Sequence, residues 1–116
     1  MLRPRRIGGR MFAVIYRWKL IPGLEAQFEE GWRAGTEAIA EEFGGWGSRL
    51  HRGDDGIAVA YAQWPDRATW ETAMQSRMHH SNDAAREKYR GAFEPGSFET
   101  LFAGDVAADL LQLRRG

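Results

Sequence analysis

Residues 44–70 read GGWGSRLHRGDDGIAVAYAQWPDRATW, a β-hairpin delivered straight into a helix. Arg49 to Arg52 leads into Gly53-Asp54-Asp55-Gly56, and Ile57 to Trp64 returns from it. Glycine and aspartate tolerate the positive φ that a tight hairpin demands, so the tetrapeptide is a turn between two strands. The returning arm alternates Ile57, Val59, Tyr61 and Gln63 with Ala58, Ala60, Ala62 and Trp64, the period of a strand with two used faces. Pro65-Asp66 then starts a helix, with Asp66 a natural N-cap. Arg49, His51, Tyr61, Gln63 and Trp64 thus stand on a sheet near a helix start, where the wall of a site is expected.

Upstream, Met11 to Leu20 sets Phe12, Val14, Tyr16 and Trp18 on one face against Ala13, Ile15 and Arg17 on the other. β-Branched and aromatic residues dominate, so this is a strand. Ile21-Pro22-Gly23 breaks it. From Leu24 to Phe43, residues Leu24, Phe28, Trp32, Ile39 and Phe43 fall within an arc of about 100°, the width of a core-facing helical stripe. Gly31 and Gly35 lie on or beside that stripe and let the helix approach a neighbour closely. Glu25, Glu29 and Glu30 suit the positive end of its dipole, and Gly44-Gly45 ends it.

Downstream, Trp70, Ala73, Met74 and Met78 form a stripe on the helix that Asp66 caps. His79-His80-Ser81-Asn82 interrupts it, and Asn82 caps a second segment expected from Asp83 to Phe93. Pro95-Gly96 breaks the chain again. Phe98 to Val106 reads as a last strand, with a bulge or bend expected at Gly104.

The order is β-α-β-β-α-β, the α+β ferredoxin-like plait, with a four-stranded antiparallel sheet and its helices on one face. Strands one and three carry apolar side chains on both faces, yet helices cover only one. The bare face is expected to meet a second copy about a two-fold axis, making a homodimer in which two sheets face each other as a barrel. A single domain is expected over residues 11–106. Residues 1–10 read as a flexible basic arm, or as upstream sequence before a start at Met11; the sharper alternative is a nucleic-acid-binding arm. The tail, residues 107–116, is mildly apolar at Leu110, Leu111 and Leu113 and is expected to pack on the partner.

Sixteen basic residues balance sixteen acidic ones, which removes any global argument for binding nucleic acid or an anionic membrane. There are no cysteines, so disulfides, thiolate catalysis and cysteine-based zinc sites are excluded, in keeping with a cytoplasmic location. No apolar run approaches the roughly 18 residues of a membrane span. Gly44-Gly45-Trp46-Gly47 precedes a strand rather than a helix and is no phosphate loop. No nucleophile-elbow motif is present.

The chain resembles the antibiotic biosynthesis monooxygenase family of dimeric α+β barrels. The likeness runs through Tyr16-Arg17-Trp18 to Pro22-Gly23, Phe28 and Trp32, and Gly47-Ser48-Arg49-Leu50-His51. It continues through Asp55-Gly56, Tyr61-Ala62-Gln63-Trp64-Pro65 and Trp70, and covers about residues 11–106. The resemblance implies oxidation of an aromatic, quinol-type or enolisable small molecule with dioxygen, without metal, flavin or other cofactor. On that reading Tyr16, Arg49, His51 and His80 are the candidate catalytic residues, and Tyr61, Gln63, Trp64, Trp70 and His79 the candidate substrate-binding ones. Aromatic walls stack a flat substrate, arginine stabilises an enolate or phenolate, and histidine takes a proton near neutral pH.

Two other readings share the fold. A non-catalytic module would hold a small apolar ligand in the same pocket. A haem-degrading relative would carry Asn, Trp and His where this sequence has Tyr16, Ala73 and Asp83. Adjacent histidines point apart, and His79 with Asp83, its i, i+4 partner, offers at most two ligands on one face, short of a catalytic zinc site. No metal is expected.

Overall fold

The computed structural model describes residues 11–111. The arm expected over residues 1–10, and the end of the expected tail, lie outside them.

Four strands, β1 (Phe12–Lys19), β2 (Ser48–Arg52), β3 (Ile57–Trp64) and β4 (Glu99–Asp105), form one antiparallel sheet in the order β2-β3-β1-β4. Helices α1 (Glu25–Phe43), α2 (Arg67–Gln75) and α3 (Asp83–Arg90) connect them in the ferredoxin-like order. β1 takes a central place, as its two apolar faces require. Phe12, Val14, Tyr16 and Trp18 face the helices, and the register pairs them with Trp64, Ala62, Ala60 and Ala58 of β3.

Local signals act where the sequence puts them. Asp66 accepts from the Thr69 backbone N–H at 2.8 Å, and Asn82 accepts from that of Ala85 at 3.0 Å, so both caps form. Asp55 and Gly56 take φ of 61° and 76° in the hairpin turn. Gly44 closes α1 with φ of 82°. Glu29 and Glu30 do more than face the helix dipole: they pair with Arg52 of β2 and Lys88 of α3.

Three boundaries differ from the sequence reading. α2 stops at Gln75, and Arg77 and Met78 follow with φ of 57° and 49°, so Met78 leaves the helical stripe. α3 ends at Arg90, because Ala92 is buried and Phe93 turns aside to bridge Leu20. The bulge falls at Leu101 rather than Gly104, since Ile15 pairs with Phe102 and Tyr16 with Thr100.

The core is densest where Phe28 of α1, fully buried, meets Trp18, Tyr89 and Phe93 at ring-centroid distances of 5.2, 5.6 and 6.3 Å. Truncating such a ring to alanine costs about 3–5 kcal/mol. α3 crosses α1 at Gly31, where a Cβ would lie 2.5 Å from the Tyr89 backbone nitrogen. That crossing fixes one end of the space between helices and sheet.

Candidate functional site

β3 turns three alanines toward the helices, and α1 turns Gly31 and Gly35 toward the sheet. Small residues on both layers leave space between them. A cavity of about 540 Å³ results, within the usual range for a small-molecule site. Tyr16, Trp18, Ala62 and Trp64 form its sheet wall. α1 supplies Trp32, Gly35 and Ile39 opposite, while the segment after α2 and one face of α3 close the end. No aspartate or glutamate is among its lining residues.

The polar groups in this apolar space are mostly donors. Trp70 Nε1 donates to the Tyr16 hydroxyl at 2.9 Å, and Trp18 Nε1 donates to the Tyr89 hydroxyl at 2.8 Å. Each phenol oxygen is thereby engaged as an acceptor, and its own proton has no acceptor among the described residues. Burial pushes both pKa values up to about 12, against the smaller opposing effect of the indole hydrogen bonds. Both tyrosines are neutral donors over the physiological range.

His80 is the other neutral group. It is 5% exposed, and its Nδ1 receives the Asn82 backbone N–H at 3.2 Å. A nitrogen facing a donor is the acceptor, which puts the imidazole proton on Nε2. Desolvation and then the Arg86 guanidinium push the His80 pKa below its usual value; His79 adds to this, while Glu42 and Asp83 oppose it. Nε2 lies beside Gly35, where a Cβ would come within 3.2 Å. Arg86 steadies the backbone by donating Nε–H to the His80 carbonyl at 3.0 Å, and it also pairs with Asp83.

The backbone reversal at Arg77 and Met78 gives the two histidines opposite fates. Left-handed φ at non-glycine residues costs on the order of 1–2 kcal/mol each. The segment is held by Ser81, whose N–H and Oγ–H donate to the Glu42 carboxylate at 2.9 and 2.6 Å. These bonds pull the Glu42 pKa down. As a result His80 is buried, while His79 is exposed at the cavity edge.

Five of the expected site residues line the cavity, Tyr16, Gln63, Trp64, His79 and His80, although the Gln63 amide bonds to Tyr61 on the other face of β3. Trp70 stands behind Tyr16, packed on Phe12 with ring centroids 5.4 Å apart. Arg49, His51 and Tyr61 are not brought to the cavity within one protomer. Arg49 pairs with Tyr61 and His51 with Val59 in the strand register, and all four face away from the helices. There His51 Nδ1 meets the Val59 carbonyl at 3.2 Å, and Tyr61 accepts from Gln63 Nε2 at 3.2 Å.

Tyr89 and Gly35 are site residues that the sequence reading passed over. Gly35 carried a signal, a glycine on the apolar stripe of a helix. Tyr89 carried a weaker one, lying four residues after Ala85 on the buried face of α3. Among the described residues, no three His, Cys, Asp or Glu side chains gather as a metal site.

Comparison with known proteins agrees with this architecture. Residues 11–85 match the antibiotic biosynthesis monooxygenase family. A point-mutant form of SnoaB, a cofactor-independent oxygenase from Streptomyces nogalater, superposes with a TM-score of 0.64 at 18% identity, over 86% of this chain and 96% of that one. A structure from Bordetella bronchiseptica that carries the family's name gives a TM-score of 0.68 at 17% identity, over 86% and 100%. A Mycobacterium tuberculosis protein gives 0.57 at 19%, over 84% and 99%. No curated protein sequence matches the chain. With the family pattern spanning most of the sequence and the fold in agreement, this chain belongs to the antibiotic biosynthesis monooxygenase family.

Proposed function

We propose that this protein is a cofactor-independent monooxygenase of an aromatic, quinol-type or enolisable small molecule. The observation that carries the reading is the cavity: aromatic walls, no carboxylate among its lining residues, and Tyr16, Tyr89 and His80 along it with hydrogen-bonding capacity left over.

Such a substrate supplies its own electrons. An activated CH₂ beside a phenol or ketone loses a proton to solvent and becomes an enolate-type carbanion. The carbanion passes one electron to dioxygen, and the radical pair closes a C–O bond to give a peroxide anion. That anion takes up a proton, and the hydroperoxide loses water to leave a carbonyl. In sum, R₂CH₂ and O₂ give R₂C=O and H₂O. The protein's part is to stack the rings, to stabilise negative charge on oxygen with preorganised donors, and to exclude bulk water. His79 stands exposed at the cavity edge.

The working unit in this reading is a homodimer. Leu101 and Phe102 on β4 are each 53% exposed, and Ile15 lies beside Phe102 on the face that no helix covers. A second copy would cover that face. Leu110 and Leu111, 70% and 60% exposed, would pack on it. Arg49, His51 and Tyr61 would then lie at the subunit boundary.

The non-catalytic ligand-binding reading is favoured by one observation: no side chain in the cavity is placed as a strong base. Haem ligation by His80 is disfavoured, because a metal-bound imidazole donates its other nitrogen's proton to an acceptor, whereas Nδ1 here faces a donor. Oxygen uptake separates the first two readings. Dithranol, an activated hydroxyanthrone, should be consumed faster than in buffer alone; binding without faster uptake selects the binding module. A Soret band on haem titration, abolished in His80→Ala, would reinstate the third.

A further inference from the structure

His80 was expected from sequence as a base. Its surroundings assign it the opposite task. The Asn82 backbone N–H occupies Nδ1, and a backbone amide cannot reverse its role as a donor. The neutral ring therefore carries its proton on Nε2 and has no lone pair to offer there. Nε2 has no hydrogen-bond partner among the described residues, nor is it sealed from the cavity as a buried unsatisfied atom. Gly35, with no Cβ, leaves the gap beside it.

We propose that His80 donates its Nε2 proton to an anionic or carbonyl oxygen of the bound ligand, so that the cavity selects phenolates and enolates over neutral phenols. This rests on the reading of the cavity as the ligand site, but not on its catalysing oxidation. Nearby charges bear on the selection, and Arg77 and Arg90 also line the cavity and add positive charge to its wall. Arg86 on α3 adds positive potential, and its own carboxylate partner, Asp83, is exposed at the helix start. Glu42 at the end of α1 is engaged by Ser81, and His79 is exposed at the edge. Neutral Tyr16 and Tyr89 offer further protons to the same ligand. A phenolate thus meets donors and no carboxylate.

The test uses the full chain and alizarin, a flat hydroxyanthraquinone whose phenol and phenolate differ in colour and which requires no turnover. Titrating bound and free alizarin by absorbance should show the bound phenol ionising at least about one pH unit lower, a preference for the anion of about tenfold. His80→Leu should lose most of that shift, and His80→Gln, which keeps an N–H donor, should retain part of it. An unchanged or raised pKa for bound alizarin overturns the proposal, as does an equal downward shift in His80→Leu. Failure of alizarin to bind overturns it together with the cavity reading.

Ring-nitrogen NMR of isotope-labelled histidine in the unmutated protein gives a second readout. It should place the proton on Nε2, with that resonance moving as alizarin is added. A proton on Nδ1 overturns the assignment even if the variants fail to fold. Should oxygen uptake fail while these results hold, the monooxygenase reading falls and the donor role of His80 stands.

Discussion

Trp70 Nε1 donates to the Tyr16 hydroxyl across 2.9 Å, tying α2 to the sheet wall of the cavity. The bond orients the phenol so that its own proton remains available to a ligand. Tyr16→Phe removes the acceptor and leaves a part-buried indole N–H unpaired. The expected cost is about 1–3 kcal/mol of stability, read as a lower urea midpoint with an unchanged slope. An unchanged midpoint would mean that solvent already serves Trp70.

Gly31 and Gly35 look alike in sequence and should respond differently to alanine. At Gly31 the new Cβ meets backbone, 2.5 Å from Tyr89 N and 2.9 Å from Ala85 O, and α3 must move. Gly31→Ala should lose about 2 kcal/mol or more, although alanine is the better helix former by about 1 kcal/mol. At Gly35 the Cβ meets the edge of a side chain, His80 Nε2 at 3.2 Å. Gly35→Ala should change stability by less than about 1 kcal/mol while weakening alizarin binding about tenfold. Denaturation and binding titrations of both variants check the contrast.

Acid should destabilise the fold partly through His80. Its folded pKa lies below the usual 6.5, from burial first and Arg86 next, against the pull of Glu42 and Asp83. The contribution to stability is full above pH 6.5 and is lost as pH falls through the folded value, because the unfolded chain binds the proton first. Glu42 acts with the same sign lower down, from the usual 4.5 toward its depressed folded value. Urea midpoints measured from pH about 7.5 to about 5.5 should fall, and His80→Leu should flatten that fall.

The uncovered sheet face predicts an assembly. Phe102→Glu places a charge beside Ile15 on the face that the second copy would cover. Light scattering should give a dimer for the unmodified chain and a monomer for the variant. A monomer in both at micromolar concentration would rule out the two-sheet barrel.

Much of the fold is legible because strand side chains alternate and caps have chemical signatures. Phe12 to Trp18, Ile57 to Trp64, Asp66 and Asn82 all behave as their residue types require. The site was harder to read for two physical reasons. Periodicity says that Arg49 and Tyr61 share a face, but not which face the helices cover. The covered face of β3 is the alanine face, less apolar to the eye than Ile57, Val59 and Tyr61, because a cavity needs small walls. The fate of the histidines turns on positive φ at Arg77 and Met78, residues with no compositional sign of it. His80 was singled out from sequence, but its tautomer depends on one backbone N–H that only the folded loop supplies.

Oxygenation in this cavity would draw on the substrate's own electrons. Its most direct measurement is dithranol oxidation by the chelator-treated protein under isotope-labelled dioxygen. Uptake should exceed the buffer rate, with one labelled atom in the new carbonyl and its partner in water. Dithranol that binds, with uptake no faster than in buffer, would contradict it.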